Sequence, residues 1–232
     1  MTAHLSLKAM AFAMVLATTS GIALTDSSMA LAAESSTAST TDSTAAIAAG
    51  LHELQSRWAN IQYQTPEARR VDAFEQLYQR ALALLKAQPK SAELHTWAGI
   101  IRGSQAGAEG GLSALSQVKD ARSEFEQALS IDPETLNGSA YTSLGTLYHQ
   151  VPGWPISFGD DDKARQLLQK GLSVNPDGID SNYFWADFLH DQGDDAQARQ
   201  ALDKAMAAAP RLGRETADAG RRQEIQALLK DI

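Results

Sequence analysis

The chain contains no cysteine among its 232 residues. That removes a disulfide framework, thiolate metal sites, thiol catalysis and any lipid carried on an N-terminal cysteine. Aromatic residues make up only 6% of the sequence, and alanine is abundant, a balance that favours closely packed helices over a β-sandwich. No run of five or more lysines and arginines appears, and the net charge is −8, so no nucleic-acid partner is expected. The Gly-x-Ser-x-Gly elbow, the His-Glu-x-x-His metal motif, the phosphate loop and the Gly-x-Gly-x-x-Gly fingerprint are all missing. No catalytic residue and no cofactor is therefore expected, and the chain reads as a binding protein.

The one long apolar stretch lies at the start. Lys8 precedes an apolar run from Ala9 to Leu24, broken by Thr18, Thr19, Ser20 and Gly21. The segment ends Ala30-Leu31-Ala32-Ala33-Glu34, with small residues at the positions a signal peptidase reads before a cut after Ala32. Residues 1–32 are thus expected to be a signal peptide, and the mature product to be periplasmic or secreted. Lys8 and Asp26 leave together, so the mature charge is unchanged. Residues 33–44 are rich in Ser, Thr and Ala and read as a flexible leader, with folding from near Ala45. No later segment is apolar for long enough to predict stable membrane insertion after cleavage.

Three segments then share one pattern: Ala121, Phe125, Ala128, Pro133; Ala164, Leu168, Gly171, Pro176; and Ala198, Leu202, Ala205, Pro210. Steps of four and three put the first three residues of each set on one helix face. The small residues admit a neighbouring helix, the large one fills the gap, and the proline stops the helix. Each segment follows a second amphipathic stretch, marked by Trp97-Ala98 and Ile101, by Leu144-Gly145 and Tyr148, and by Trp185-Ala186 and Leu189. Gly193 supplies the turn in the last pair.

This pattern resembles the tetratricopeptide repeat. The resemblance implies an all-α, right-handed solenoid of helix-turn-helix pairs over residues 91–210, with a helix pair at 45–90 and a capping helix at 211–232. In that cap Ile225, Leu228, Leu229 and Ile232 read as the buried face, and Arg221, Arg222 and Glu224 as the outer one. The insertions around Gly103–Gly111 and His149–Phe158, with Leu144-Gly-Thr-Leu-Tyr148 and Gly159-Asp-Asp-Asp-Lys-Ala164, are similar to the T component associated with TRAP-type (tripartite ATP-independent periplasmic) transporters. That resemblance implies a periplasmic solute-binding protein as partner. Members of that group are often lipid-anchored, and this chain has no cysteine to carry the lipid.

The repeat geometry also implies that the first helix of each pair lines a concave groove. Counting from Ala98, Gly145 and Ala186, the groove should display His95, Gly99, Arg102 and Gly103; Thr142, Thr146, His149 and Gln150; and Tyr183, Asp187, His190 and Asp191. Arg102, His149 and His190 are equivalent positions and would form a cationic line. His149, Tyr183, Asp187 and His190 form the sharpest candidate site, for a protein segment or a small anionic ligand; solvated groove residues without a partner are the plainer reading, and a metal is not expected. The stiff Pro152-Gly153-Trp154-Pro155 loop, with Phe158 after it, carries a heavy apolar load. Trp154 either folds back to plug the space between repeats, the preferred reading, or with Phe158 forms a lip over the groove or a contact for a partner. Asp160-Asp161-Asp162 reads as a helix cap. The function expected is that of an exported adaptor; a direct small-anion binder and a cell-envelope assembly factor are the alternatives.

Overall fold

The computed structural model describes the backbone of residues 30–232 and side chains from Ala45 onward. Most of the expected signal peptide therefore lies outside the described residues. The described chain forms α1 (Ala30–Gln64), α2 (Arg70–Ala87), α3 (Ala92–Glu109), α4 (Leu115–Ile131), α5 (Thr135–Gln150), α6 (Asp161–Val174), α7 (Ile179–Asp191), α8 (Asp195–Ala207) and α9 (Glu215–Asp231). Short 3-10 turns lead into α2 and α4. Helix α1 begins upstream of the boundary expected near Ala45, so the stretch read as a flexible leader is helical backbone. Residues 30–44 contain neither proline nor glycine to stop a helix rich in alanine.

Successive helices pack as antiparallel pairs, α1 with α2, α3 with α4, α5 with α6 and α7 with α8, and the pairs stack in chain order. This is an all-α solenoid. The repeat pattern explains its packing, since Ala121, Phe125, Ala128, Ala164, Leu168, Ala198, Leu202 and Ala205 are all buried. Gly99 lies where a Cβ would meet the Phe125 ring at 2.6 Å, and Gly145 where one would meet Leu168 at 2.8 Å. Small residues on the first helix thus receive large ones from the second. The prolines follow directly: α4, α6 and α8 end just before Pro133, Pro176 and Pro210.

The helix starts are capped as their side chains suggest. Ser91 accepts from the Leu94 amide at 3.2 Å, Asp160 from the Lys163 amide at 2.9 Å and Asp194 from the Gln197 amide at 3.1 Å. Gly193, with φ of 80°, ends α7 in the left-handed conformation that glycine adopts at low cost. One core runs from α1 to α6 and onto α7, centred on Trp58, Trp97, Phe74 and Phe125. A second joins α7 and α8 to α9 through Ile179, Leu189, Leu202, Ile225 and Leu228. Among the described residues no helix is long and apolar enough to cross a membrane.

The cap departs from expectation. Helix α9 covers the last pair with its apolar side, as foreseen, but it also reaches back to α1, the first helix of the stack. Gly220 makes that approach possible, since a Cβ there would stand 2.4 Å from the Tyr63 ring.

The fit between Gly99 and Phe125 yields a test of the packing. Gly99→Ala should lower the unfolding free energy by about 1–3 kcal/mol, the range for overfilling a packed core. Urea denaturation reads this directly, and an unchanged midpoint would mean the helices can separate freely at that point.

Candidate functional site

The line of polar and cationic side chains expected along the groove is a line of contacts to carboxylates. Arg102 on α3 binds Asp120 on α4 at 2.8 Å and Glu75 on α2 at 2.8 Å, with its guanidinium over the Tyr78 ring. His149 on α5 binds Asp161 at the start of α6 and Asp191 at the end of α7, both at 3.0 Å. His190 on α7 binds Asp195 at the start of α8 at 2.7 Å. Each equivalent position therefore joins the first helix of its pair to the second, and Arg102 and His149 also reach a neighbouring pair. His95 belongs with them, facing Glu124 on α4 at 2.6 Å. All four are engaged by carboxylates of neighbouring helices. The reason is geometric: the second helix of each pair presents carboxylates on the flank that these side chains reach.

The rest of the expected set divides. Thr142 is buried against Gly171, where a Cβ would lie 2.3 Å from its hydroxyl oxygen. Asp191 is engaged by His149. Tyr183 and Asp187 do lie on the inner side of α7, yet that side is already covered by α9. Arg221 lies over Tyr183 and Phe184, 4.3 and 4.5 Å from their ring centres. His149, Asp187 and Asp191 come within 4.8 Å of one another, which unites part of the sharp candidate site. Tyr183 and His190 belong to other contacts.

What holds α9 in place is a buried charged cluster that was not singled out from the sequence. Asp180, at the start of α7, is 7% exposed and accepts from Arg211 at 2.7 Å and from Arg221 at 2.8 Å. Arg221 is 1% exposed and also binds Glu224 at 2.5 Å, while Tyr63 donates to Glu224 at 3.3 Å. Arg211 pairs in turn with Asp218. The Arg214 guanidinium stands 5.0 Å from the Trp97 ring centre, tying the start of α9 to α3. Arg221 is buried, not on the outer face that its helical spacing predicts. Its burial needs a carboxylate partner on another element, and Asp180 lies well upstream, beyond local pattern reading. The spacing of Arg214 and Arg221, with Gly220 between, is the signal that could have shown a second buried face.

Charges in this cluster titrate against one another. Burial alone would raise the Asp180 pKa, but Arg211 and Arg221 more than offset it and hold the carboxyl below its usual range. Burial pushes Glu224 up to about 7, with Asp180 and Asp187 adding to the rise and Arg221 opposing it.

The other sequence candidate is the loop between α5 and α6, and its two aromatics part company. Phe158 packs edge-on to Tyr148 at 5.3 Å, and the Arg122 guanidinium covers both rings. Trp154 does not plug the space between repeats. It is 90% exposed, and Ile156 beside it is 51% exposed. The loop itself is tightly bonded: Gly159 N–H donates to Pro152 at 3.0 Å, Ile156 to Gly153 at 3.1 Å and Asp160 to Tyr148 at 3.0 Å. A Cβ on Gly159 would strike the Val151 carbonyl oxygen at 1.8 Å, so the loop closes only around glycine. Asp160 caps α6 as expected.

Set against known proteins, the chain matches no family model and no curated protein. It is similar to a solved structure described as the crystal structure of MamA, at 17% identity and a TM-score of 0.32, over 63% of this chain and 95% of that one. The reading of the fold rests on the helix pairs themselves.

Two tests follow from the cluster. Arg221→Ala leaves Asp180 and Glu224 buried beside a void and should cost about 3–5 kcal/mol, measured by urea unfolding; a cost near zero would show that water replaces the guanidinium. The second concerns pH. The folded state holds the Glu224 proton more tightly than the unfolded chain, so this residue's contribution to stability is complete below pH 4.5 and is lost as pH rises through about 7. Asp180 acts with opposite sign, its contribution present above its ordinary value of 3.8 and lost in stronger acid. Glu224→Gln should therefore flatten the decline between pH 4.5 and 7 in a series of thermal melts, and parallel wild-type and variant curves would remove Glu224 as its source.

Proposed function

We propose that the protein is an exported, non-catalytic adaptor that engages a protein partner through the α5–α6 loop. The observation that carries this reading is the contrast within that loop. Phe158 anchors it, its own backbone bonds stiffen it, and Trp154 stands 90% exposed at its surface. A preordered loop loses little conformational entropy on binding, and tryptophan is among the side chains that contribute most to protein interfaces. Ile156 widens the apolar patch. The inner face, by contrast, offers a partner little, since α9 covers Tyr183 and Phe184 there.

Support for the setting comes from the N-terminal sequence, with its basic residue, short apolar run and small-residue exit. The resemblance to transporter-associated repeat proteins supports a periplasmic solute-binding protein as the partner. Uptake of a solute would then be the process the adaptor serves.

Residues 33–232 used as bait in a periplasmic extract should capture one solute-binding protein at near-stoichiometric level. Trp154→Ala should abolish the capture while leaving the thermal midpoint unchanged, because the indole makes no packing contact that the fold needs. Absence of any protein above background would end the adaptor reading. Capture unaffected by Trp154→Ala would move the interface elsewhere.

A further inference from the structure

The ends of α5 and α7 meet beside the start of α6 and bring a histidine and two carboxylates together. His149 and Gln150 close α5, while Asp187 and Asp191 lie one turn apart at the end of α7. One ligand atom from each of His149, Asp187 and Asp191 lies within 4.8 Å of the others. No metal is expected here from the sequence, because these residues come from separate helices and share no local motif.

Three features of the arrangement favour a cation. The first is distance. Nitrogen and oxygen ligands of one tetrahedral ion, each about 2.1 Å from it, stand about 3.4 Å from one another. His149 Nε2 is 3.0 Å from Asp191 Oδ2, and the Gln150 amide nitrogen is 3.5 Å from Asp187 Oδ2. Both separations fit edges of such a site.

The second is the Gln150 carboxamide. Its oxygen is buried and has no hydrogen-bond partner among the described residues. A buried acceptor left unmet is costly, and the two ends of a carboxamide exchange by a half-turn about its last bond. That half-turn sets the oxygen beside Asp187, which is itself 4% exposed, and a cation between the two oxygens makes their approach favourable.

The third is the setting of the imidazole. His149 has a carboxylate at each ring nitrogen, Asp161 at Nδ1 and Asp191 at Nε2, both at 3.0 Å. A neutral ring donates to one of them only, so the other contact needs a second proton or a metal ion. Asp161 is steadied by Gln192, which donates to its second oxygen at 3.1 Å, and a carboxylate backing one nitrogen is the usual support of a metal-bound histidine. Phe188 packs edge-on to the ring at 5.0 Å and holds it in place. The C-terminal ends of α5 and α7 add the partial negative charge of their dipoles.

We propose that His149, Asp187 and Asp191 bind a divalent transition-metal ion of the zinc or manganese kind, with the Gln150 oxygen as a further ligand and Asp161 orienting the histidine. A mixed nitrogen and oxygen set suits these ions better than calcium or magnesium, which take oxygen ligands. The two carboxylates balance the charge of the ion. Asp191, with its side chain 38% exposed, is the open side of the site. The ion joins α5 to α7 at the root of the loop that carries Trp154, and its binding is independent of any partner at that loop.

The test is isothermal titration calorimetry of the full chain, free of any affinity tag and stripped with chelator, with zinc, manganese and calcium chlorides in turn. One saturable site per chain is expected with zinc or manganese, and none with calcium. Asp191→Asn, at the open side, should weaken that affinity by at least about tenfold, and Asp161→Asn by about tenfold through the orientation of the ring. Both should keep the helical circular dichroism of wild type. His190 pairs with Asp195 outside the set, so His190→Gln should leave the affinity unchanged. Absence of a saturable site with zinc or manganese overturns the proposal and leaves a second proton on His149 as the bridge between its carboxylates. Wild-type affinity in a folded Asp191→Asn, an equal loss in His190→Gln, or calcium bound as tightly as zinc overturns it as well.

Discussion

The carboxylate of Asp180 sits beneath α9 with a guanidinium on either side, and the closed form of this solenoid depends on it. Arg211 approaches from the α8–α9 loop and Arg221 from within α9, so the one acidic group fixes both the loop and the helix that follows. A charge buried at this depth is costly unless it is paired and hydrogen-bonded. Stacking of Arg221 on Tyr183 and Phe184 gives the guanidinium an aromatic bed as well as its carboxylates. Apolar packing of Ile225 and Leu228 would hold α9 on the last pair in many orientations. The charged cluster selects the one in which its start also reaches α1 and α3.

That closure changes what the inner face is for. An open solenoid offers its concave side to partners, but here Tyr63, Trp97 and Tyr183 meet residues of the chain's own C-terminal helix. The first and last layers of the stack are joined through α9. For a chain without cysteine this joining takes the place of a covalent staple. It also leaves a small space where α1 and α9 do not quite meet, and that space retains polar walls. Meanwhile the outer loop, freed of any packing duty by Phe158, presents Trp154 to solvent.

The helix pairs were legible because their signal is local and repeated. Ala121, Phe125 and Ala128 state their burial by spacing alone, and Pro133 states where the helix ends. Gly193 and Asp160 likewise act within one turn of their own positions. The side chains at Arg102, His149 and His190 were found as an equivalent series, but their partners were not, because Asp120, Asp161 and Asp195 lie on the next helix. An unpaired charge and a paired one look alike in sequence. The Asp180 cluster was harder still, since its members are drawn from α1, α7, the α8–α9 loop and α9.

Trp154 shows the same limit from the other side. The apolar load of the loop favours Trp154 folding back between the repeats, yet the Phe158 ring alone packs against the helices. Phe158 fits beside Tyr148 under Arg122, and Gly159 brings the backbone close against Val151. The exposed apolar side chain arises in this protein where packing is already complete: the inner face is filled by charge, the loop is filled by Phe158, and Trp154 is left over, aimed away from the core.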